Sequence, residues 1–313
     1  MWRYIARRVL ATIPVVAVVA ILIFLMLRLT PGDPAAIIAG NAATGEDIAR
    51  IRENLGLDKP LVVQFGQWLG GMLTGNFGES YFYRRSVASL IRDRVEPTLA
   101  LATFAIILAT AIAVPLGTIA AARQGSWFDR ILMGGSVLGF SVPVFVIGYL
   151  MIWLFSLKLG WFPVQGYQRL SEGIGGFLHR LVLPACALAF VYVALIARMT
   201  RTSVLEVLGE DYIRTARAKG LPSRKVLVRH ALRNAAVPIV TVIGIGIAAL
   251  IGGVVVTESV FNIPGLGRLT VDAVLARDYP TVQAVILLFS VAYVGVNLLI
   301  DLTYTVLDPR IRY

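Results

Sequence analysis

Charge, sulfur and histidine are all scarce in this chain. Asp, Glu, Lys and Arg make up 15% of its 313 residues, against about 25% in an ordinary soluble domain. The single cysteine, Cys186, excludes an intramolecular disulfide and a cysteine-based zinc site. The two histidines, His179 and His230, lie far apart in sequence and offer no metal or catalytic cluster. Gly-Lys never occurs, so there is no G-x-x-x-x-G-K-[ST] phosphate loop, and H-E-x-x-H is missing too. What the chain has in quantity is apolar surface: 58% hydrophobic residues and a mean hydropathy of +0.78. Such a composition excludes a disordered chain and an ordinary soluble enzyme, and it points to an all-α protein that crosses a membrane several times.

A span needs roughly 20 apolar residues at about 1.5 Å rise each. Six strongly apolar stretches contain no Asp, Glu, Lys or Arg: Val9–Leu27, Pro97–Ala122, Ile131–Leu157, Leu181–Ala197, Asn234–Thr257 and Tyr279–Ile300. The fourth is the shortest, and Arg180 can snorkel at its end. A seventh uncharged window, Pro60–Gly78, holds five glycines, two glutamines and an asparagine. Its Val62, Phe65, Leu69 and Met72 recur at helical spacing, so a surface amphipathic helix is expected there instead of a span. Arg3, Arg7 and Arg8 precede the first window, as in a signal peptide. Its length and the Thr30-Pro31-Gly32-Asp33-Pro34 sequence after it favour an uncleaved first helix.

Lys and Arg in short loops set the orientation. With six spans, 1–8, 123–130, 198–233 and 306–313 share one side and carry sixteen basic residues, whereas 158–180 and 258–278 carry five. The termini and the 198–233 loop are therefore expected in the cytoplasm. The net charge of +11 reflects this topology and not a nucleic-acid surface.

The expected layout is a cytoplasmic segment and first helix over 1–29, a small extracytoplasmic region over 30–96, a five-helix core over 97–305 and a cytoplasmic tail over 306–313. Region 30–96 is nearly neutral, with seven basic and eight acidic residues. Within it, Thr44 can cap a helix carrying Ile48, Ile51 and Leu55, ended by Gly56. Glu96-Pro97 is expected to open the second span. Small residues line faces of two spans, at Gly135 and Gly139 in the third and at Gly244, Ala248 and Gly252 in the fifth. They serve either packing within the chain or contact with a second membrane subunit. Coupled carriers keep buried carboxylates or basic residues on their pathways, and these windows show none. Neither an ion gradient nor ATP hydrolysis is supplied by visible residues, so uphill movement of a solute would need energy from another chain.

The 198–233 loop carries the most information. Ser203 and Glu206 have capping-box spacing, and Gly209 then breaks the pattern. Next come Glu210, Asp211, Tyr212, Ile213, Arg214, Thr215, Ala216, Arg217, Ala218, Lys219 and Gly220, followed by Leu221-Pro222. Acidic residues at the start and basic ones at the end match the helix dipole. Gly220 suits a C′ position and Pro222 stops continuation. So short a helix is marginal alone and must be docked, either on its own membrane domain or in a groove of a cytoplasmic partner. Ser223 can restart a basic helix, with Lys225, Arg229 and Arg233 every four residues, lying at the headgroup boundary.

At this loop the chain resembles the membrane permeases of binding-protein-dependent ATP-binding-cassette importers. The family's loop reads E-A-A, three residues, Gly, nine residues, then I-x-L-P. Here Ala216, Gly220 and Leu232 match, while Arg214 and Thr215 stand for Glu and Ala, His230 for Ile and Arg233 for Pro. The form is similar to that of B-type subunits of the dipeptide/oligopeptide subfamily. Further segments agree in order: Thr30–Pro34, Leu55–Pro60, Gly75–Gly78, Glu258–Arg268, Arg277–Pro280 and Asp308–Tyr313.

The resemblance implies a six-helix importer permease forming half of a heterodimeric pore. Its implied partners are a second permease, two cytoplasmic ATPase subunits and an extracytoplasmic binding protein, in the cytoplasmic (inner) membrane of a bacterium or archaeon. No cofactor is expected in this chain, and ATP and Mg would be bound by the ATPases. Residues Glu210–Gly220 would form the helix that couples ATPase closure to the pore, with Tyr212, Ala216 and Gly220 seated in the ATPase groove. The loop holding Phe261, Pro264, Gly265, Leu266, Gly267 and Arg268 is either a plain turn or a contact for the binding protein, and the same two readings hold for 30–96. Arg310 and Arg312 are expected to anchor the tail to lipid headgroups. Peptides are the leading cargo, with nickel chelates, glutathione and oligosaccharides as alternatives. A stand-alone secondary carrier or channel is the runner-up class, and a membrane-embedded enzyme ranks last for want of a ligand cluster.

Overall fold

The computed structural model describes residues 2–29, 35–36, 44–54 and 56–307. The Thr30–Pro34 and Asp308–Tyr313 segments, Leu55, Arg310 and Arg312 lie outside the described residues. Among the described residues, five helices are long and apolar enough to cross a membrane: α1 (Trp2–Leu29), α4 (Val87–Ala122), α7 (Ile174–Leu208), α10 (Ala236–Val260) and α12 (Tyr279–Leu307). Between them lie α2 (Gly45–Asn54), α3 (Leu61–Thr74), α5 (Trp127–Ser141), α6 (Val144–Met151), α8 (Asp211–Ala218), α9 (Ser223–Lys225) and α11 (Leu266–Leu275). Thr44 directly precedes α2, its carbonyl accepting from the Ile48 amide, and Gly56 (φ +63°) follows it.

The third apolar window is not one straight helix. Helices α5 and α6, the latter continuing as a π-helix over Ile152–Lys158, meet at 102°. The cause is local. A residue before proline is pushed out of the helical region, and Val142 is extended (φ −96°, ψ 121°) ahead of Pro143. Pro143 then leads a new helix. The uncharged window shows length but not this break.

Two other expectations are corrected. The second span starts at Val87, not at Glu96-Pro97, and Pro97 lies inside it. Its polar first turns are opened by Ser86, whose hydroxyl accepts from the Ser89 amide, and an apolar-window search cannot see such turns. Ser203 and Glu206 start no helix, because α7 runs through them and Ser203 is buried. The amphipathic helix α3 does form, but Val62 is exposed and the buried side runs through Gln64, Phe65 and Trp68. Phe65 and Trp68 pack on Phe24 of α1 with ring centroids 5.2 and 5.7 Å away.

Among the described residues the chain divides into two compact units, one of 2–95 and 269–294, the other of 96–268 and 295–307. In the second, α7 is the central helix: 61% of its apolar window is buried, against 39% or less for the other four spans. Leu101, Ala105, Ala109 and Ala113 recur every four residues along α4 and are fully buried. A Cβ at Gly117, next in that row, would strike the Ala197 carbonyl and lie 2.8 Å from Thr200 Cβ. Small side chains thus let α4 and α7 approach closely, which replaces the solvent-driven burial that lipid cannot provide.

Part of each small-residue face serves this same packing. A Cβ on Gly139 would lie 2.7 Å from Ala194 Cβ, and one on Gly244 would strike Ile300, whereas Gly135 and Gly252 have nothing within 4 Å. Replacing Gly139 by leucine should therefore destabilise the protein by about 1–3 kcal/mol, while Gly135→Leu should change little. Thermal unfolding of both variants in one detergent checks the difference. Equal losses would contradict the packing described.

Candidate functional site

Helix α7 continues past its apolar window to Leu208, and Gly209 ends it. Glu210 is extended (φ −68°, ψ 145°) and Asp211 opens the eight-residue α8. Gly220, at φ +77°, reverses the chain, with its amide donating to the Arg217 carbonyl at 2.9 Å and the Leu221 amide to Ala216 at 3.3 Å. The positive φ explains why glycine stands there. Helix α9 follows and passes into a π-helix over Val226–Leu232, where the expected basic helix lies.

One face of α8 is held by its own chain. Ile213 is fully buried and Ala216 is buried with it, packing with Val226 against Val207, Leu208 and Leu221. The other face is open: Tyr212, Arg214, Thr215, Arg217, Ala218 and Lys219 are exposed, as are Glu210, Asp211 and Gly220 at the ends. Asp211 and Arg214 pair at 3.2 Å on this open face, a surface pair worth little. Partial burial pushes the Tyr212 hydroxyl above its ordinary value, so it stays neutral. Of the three residues expected in a partner groove, Tyr212 and Gly220 are open, whereas Ala216 belongs to the face turned toward its own chain.

Ten residues before Asp211, the helix that carries α8 is pinned. Arg201 holds Asp129 with both ends of its guanidinium fork, Nε donating to Oδ1 at 2.9 Å and Nη2 to Oδ2 at 2.8 Å. Asp129 also accepts from the Gly125 amide at 3.0 Å, and its own amide donates to the Ser126 hydroxyl. Its side chain is 5% exposed and that of Arg201 is 22% exposed. The pair ties the 123–130 connection to α7 with planar, directional geometry. Sequence reading missed it, because each residue counted only as a loop charge.

The 258–268 loop is largely folded inward. Phe261, Gly265, Leu266 and Gly267 are buried, Arg268 is half-buried and Pro264 is exposed. The reason is Glu258, which is fully buried at the end of α10. Thr98 Oγ1 donates to it at 2.6 Å, the Arg268 amide donates at 2.9 Å, and the Leu266 amide donates to Thr98 at 2.7 Å. A Cβ at Gly265 would land on this carboxylate, so the Pro264-Gly265 turn closes over it. Of the six loop residues singled out in the sequence, Pro264 alone is fully open.

A second buried carboxylate, Asp278, sits just before α12. It accepts from the Ser80 hydroxyl, from the Tyr81 amide at 3.0 Å and from the Thr281 hydroxyl at 2.7 Å. Burial, with Asp278 adding to it, pushes the Tyr81 hydroxyl up to about 12. Among the described residues, no three His, Cys, Asp or Glu side chains come together as a metal site would need.

Apolar helices of membrane-crossing length, together with a short helix held by one face and open on the other, define a multi-pass membrane protein. Family models agree over nearly the whole chain. Residues 113–313 match the binding-protein-dependent transport system inner membrane component, and 1–102 match the N-terminal part of such membrane components. The chain belongs to this family. Similar relatives include a probable peptide ABC transporter permease of Sinorhizobium fredii, 54% identical with 99% of both chains covered. A putative peptide transport system permease of Brucella abortus is 46% identical over 99% of this chain and 98% of its own. A glutathione transport system permease of Salmonella choleraesuis is 44% identical over the full length of both. The protein is thus a multi-pass inner-membrane permease of a system that also contains ATPase and binding-protein components. It performs no catalysis itself, and ATP is bound by the partner ATPases.

The Asp129–Arg201 pair generates a test. Removing either charge leaves the other poorly compensated, at a cost of about 2–3 kcal/mol, below the usual 3–5 for breaking a fully buried pair because Arg201 is partly solvated. Asp129→Asn and Arg201→Met should each lower the unfolding temperature, and the exchanged pair Asp129→Arg with Arg201→Asp should recover part of the loss. Single variants as stable as the parent would remove the pinning role.

Proposed function

We propose that this chain forms half of a heterodimeric pore in an ATP-driven importer that takes up di- and oligopeptides. The observation that carries the cargo is the full-length, 54% identity to a probable peptide ABC transporter permease. Glutathione, itself a short peptide, is the second reading, favoured by the relative that is 44% identical end to end. Two cytoplasmic ATPases and a second six-span chain complete the assembly, and an extracytoplasmic binding protein delivers the peptide. Residues 30–96, the last ten of which open the second span helix, form the extracytoplasmic region, 97–305 the rest of the permease core and 306–313 a tail that, like the N-terminus, faces the cytoplasm.

Within this assembly, α8 transmits ATPase closure to the pore. Its Ile213–Ala216 face is fixed to the membrane core, and its open face, with Tyr212 and Gly220, enters the ATPase groove. A helix clamped to the core on one side can pass on a push received on the other, and the Asp129–Arg201 pair stiffens the end of α7 through which the push travels. Asn262 and Pro264, exposed in the 258–268 loop, face the docked binding protein.

Gly220→Pro tests the coupling role. Proline fixes φ near −65° and cannot adopt +77°, a local cost of about 3 kcal/mol or more. The variant should insert in the membrane at normal abundance, yet uptake of a labelled dipeptide by cells should be abolished. Normal uptake by that variant would overturn the assignment. Competition by unlabelled glutathione in the parent strain separates the two cargo readings.

A further inference from the structure

A hollow of about 640 Å³ lies beside α8, within the unit that contains 96–268. Its walls come from three stretches of chain: the connection after α4, the end of α7, and the passage from α8 into α9. Arg123, Arg217 and Arg224 line it, and all three are exposed. No Asp or Glu lines it, and among the described residues no ion pair or hydrogen bond occupies these three side chains. Arg201, by contrast, has its carboxylate supplied by the chain itself, at Asp129. Like charges around one hollow repel each other, and a carboxylate placed between them replaces repulsion by attraction. Leu205, Leu208 and Leu227 add an apolar wall against which the methylenes of an acidic side chain can rest. Leu205 and Leu208 follow Ala197, where the apolar window of α7 ends, by eight and eleven residues. At about 1.5 Å per residue they stand about 12–16 Å beyond that end. The occupant therefore comes from the aqueous side, which the count of basic residues assigns to the cytoplasm. Arg217 narrows the choice, because it stands on the open face of α8, the face assigned above to a partner.

We propose that this hollow receives an acidic segment of the ATPase partner, its Asp or Glu carboxylates held by Arg123, Arg217 and Arg224. The inference rests on the reading that α8 enters an ATPase groove, and it adds a second, ionic contact beside that groove. Its consequence is mechanical. A helix lying in a groove passes on a push, whereas a clasp of opposite charges also passes on a pull. Because the three arginines come from separate stretches of chain, the clasp grips the end of α4 together with α8 and α9. The permease is thus drawn back when the ATPases separate, as well as driven when they close. The exposure of the arginines makes the clasp sensitive to salt.

The test uses the full chain purified with its co-expressed partner subunits in mild detergent. Arg123→Lys, Arg217→Lys and Arg224→Lys, made singly, keep the charge and present a primary amine. A water-soluble carbodiimide joins an amine to a carboxylate in direct contact, and mass spectrometry of the digest identifies the joined pair. All three lysines should be found joined to one acidic stretch of an ATPase subunit. Arg123→Gln, Arg217→Gln and Arg224→Gln combined should raise the complex concentration at which half of the ATPase is lost on dilution, on the order of tenfold. A control triple, Lys225→Gln, Arg229→Gln and Arg233→Gln, removes the same charge outside the hollow and should leave that concentration unchanged. Equal losses in the two triples would mean diffuse attraction and would overturn the proposal, as would cross-links confined to this chain. Tyr212→p-benzoylphenylalanine tests the groove separately, by photochemical capture that needs no charge. If it captures the ATPase while the three lysines do not, this inference alone falls. If neither reaches the ATPase, the groove reading falls with it.

Discussion

In a bilayer a polar group has no water to fall back on, and that constraint governs this structure. The spans can be apolar, but the connections that position them are made of peptide groups and turning residues. The chain meets the difficulty at span ends with three buried carboxylates. Asp129 gathers the 123–130 connection with Arg201, Glu258 gathers the 258–268 loop with Thr98, and Asp278 gathers Ser80, Tyr81 and Thr281. Each satisfies several donors at once, which is what a carboxylate does better than any neutral side chain. A single buried carboxyl group thus fixes a loop that would otherwise leave orphan amides at the membrane edge.

Between those ends, the helices are brought together by the lack of side chains. The row Leu101, Ala105, Ala109, Ala113 and Gly117 along α4, and the meeting of Gly139 with Ala194, give a surface on which backbones nearly touch. Packing of this kind is stiff, because interfaces at this density have no slack. A stiff core suits the role proposed above, in which movement of a short helix is carried to a pathway across the membrane. Helix α8 has one face buried by Ile213 and Ala216 and the other left open.

Much of this was legible in the sequence. Apolar windows located the spans, because length and hydropathy alone decide them. Gly209, Gly220 and Pro222 bracketed α8, because left-handed glycine and proline are local signals. The bend at Val142–Pro143 was not anticipated, although proline's effect on the preceding residue is local too, because the uncharged window drew attention to length. Side-chain pairings across the chain were out of reach. Nothing near Asp129 in sequence points to Arg201, and nothing near Glu258 points to Thr98. The chain was read as lacking buried carboxylates because the windows were drawn to exclude charge, and Glu258 and Asp278 stand directly outside them. The facing of α8 was half legible: an isolated helix had to dock, but only the fold shows that Ala216 turns inward while Tyr212 turns outward.

The central claim is that the energy for transport enters through another chain. It is tested by reconstituting the co-purified complex into liposomes with its binding protein and a labelled dipeptide, with ATP either sealed in the compartment facing the ATPases or left out. The account predicts accumulation that needs ATP in that compartment and is unchanged when proton and sodium gradients are collapsed. Accumulation driven by an ion gradient without ATP, and abolished by collapsing that gradient, would contradict it.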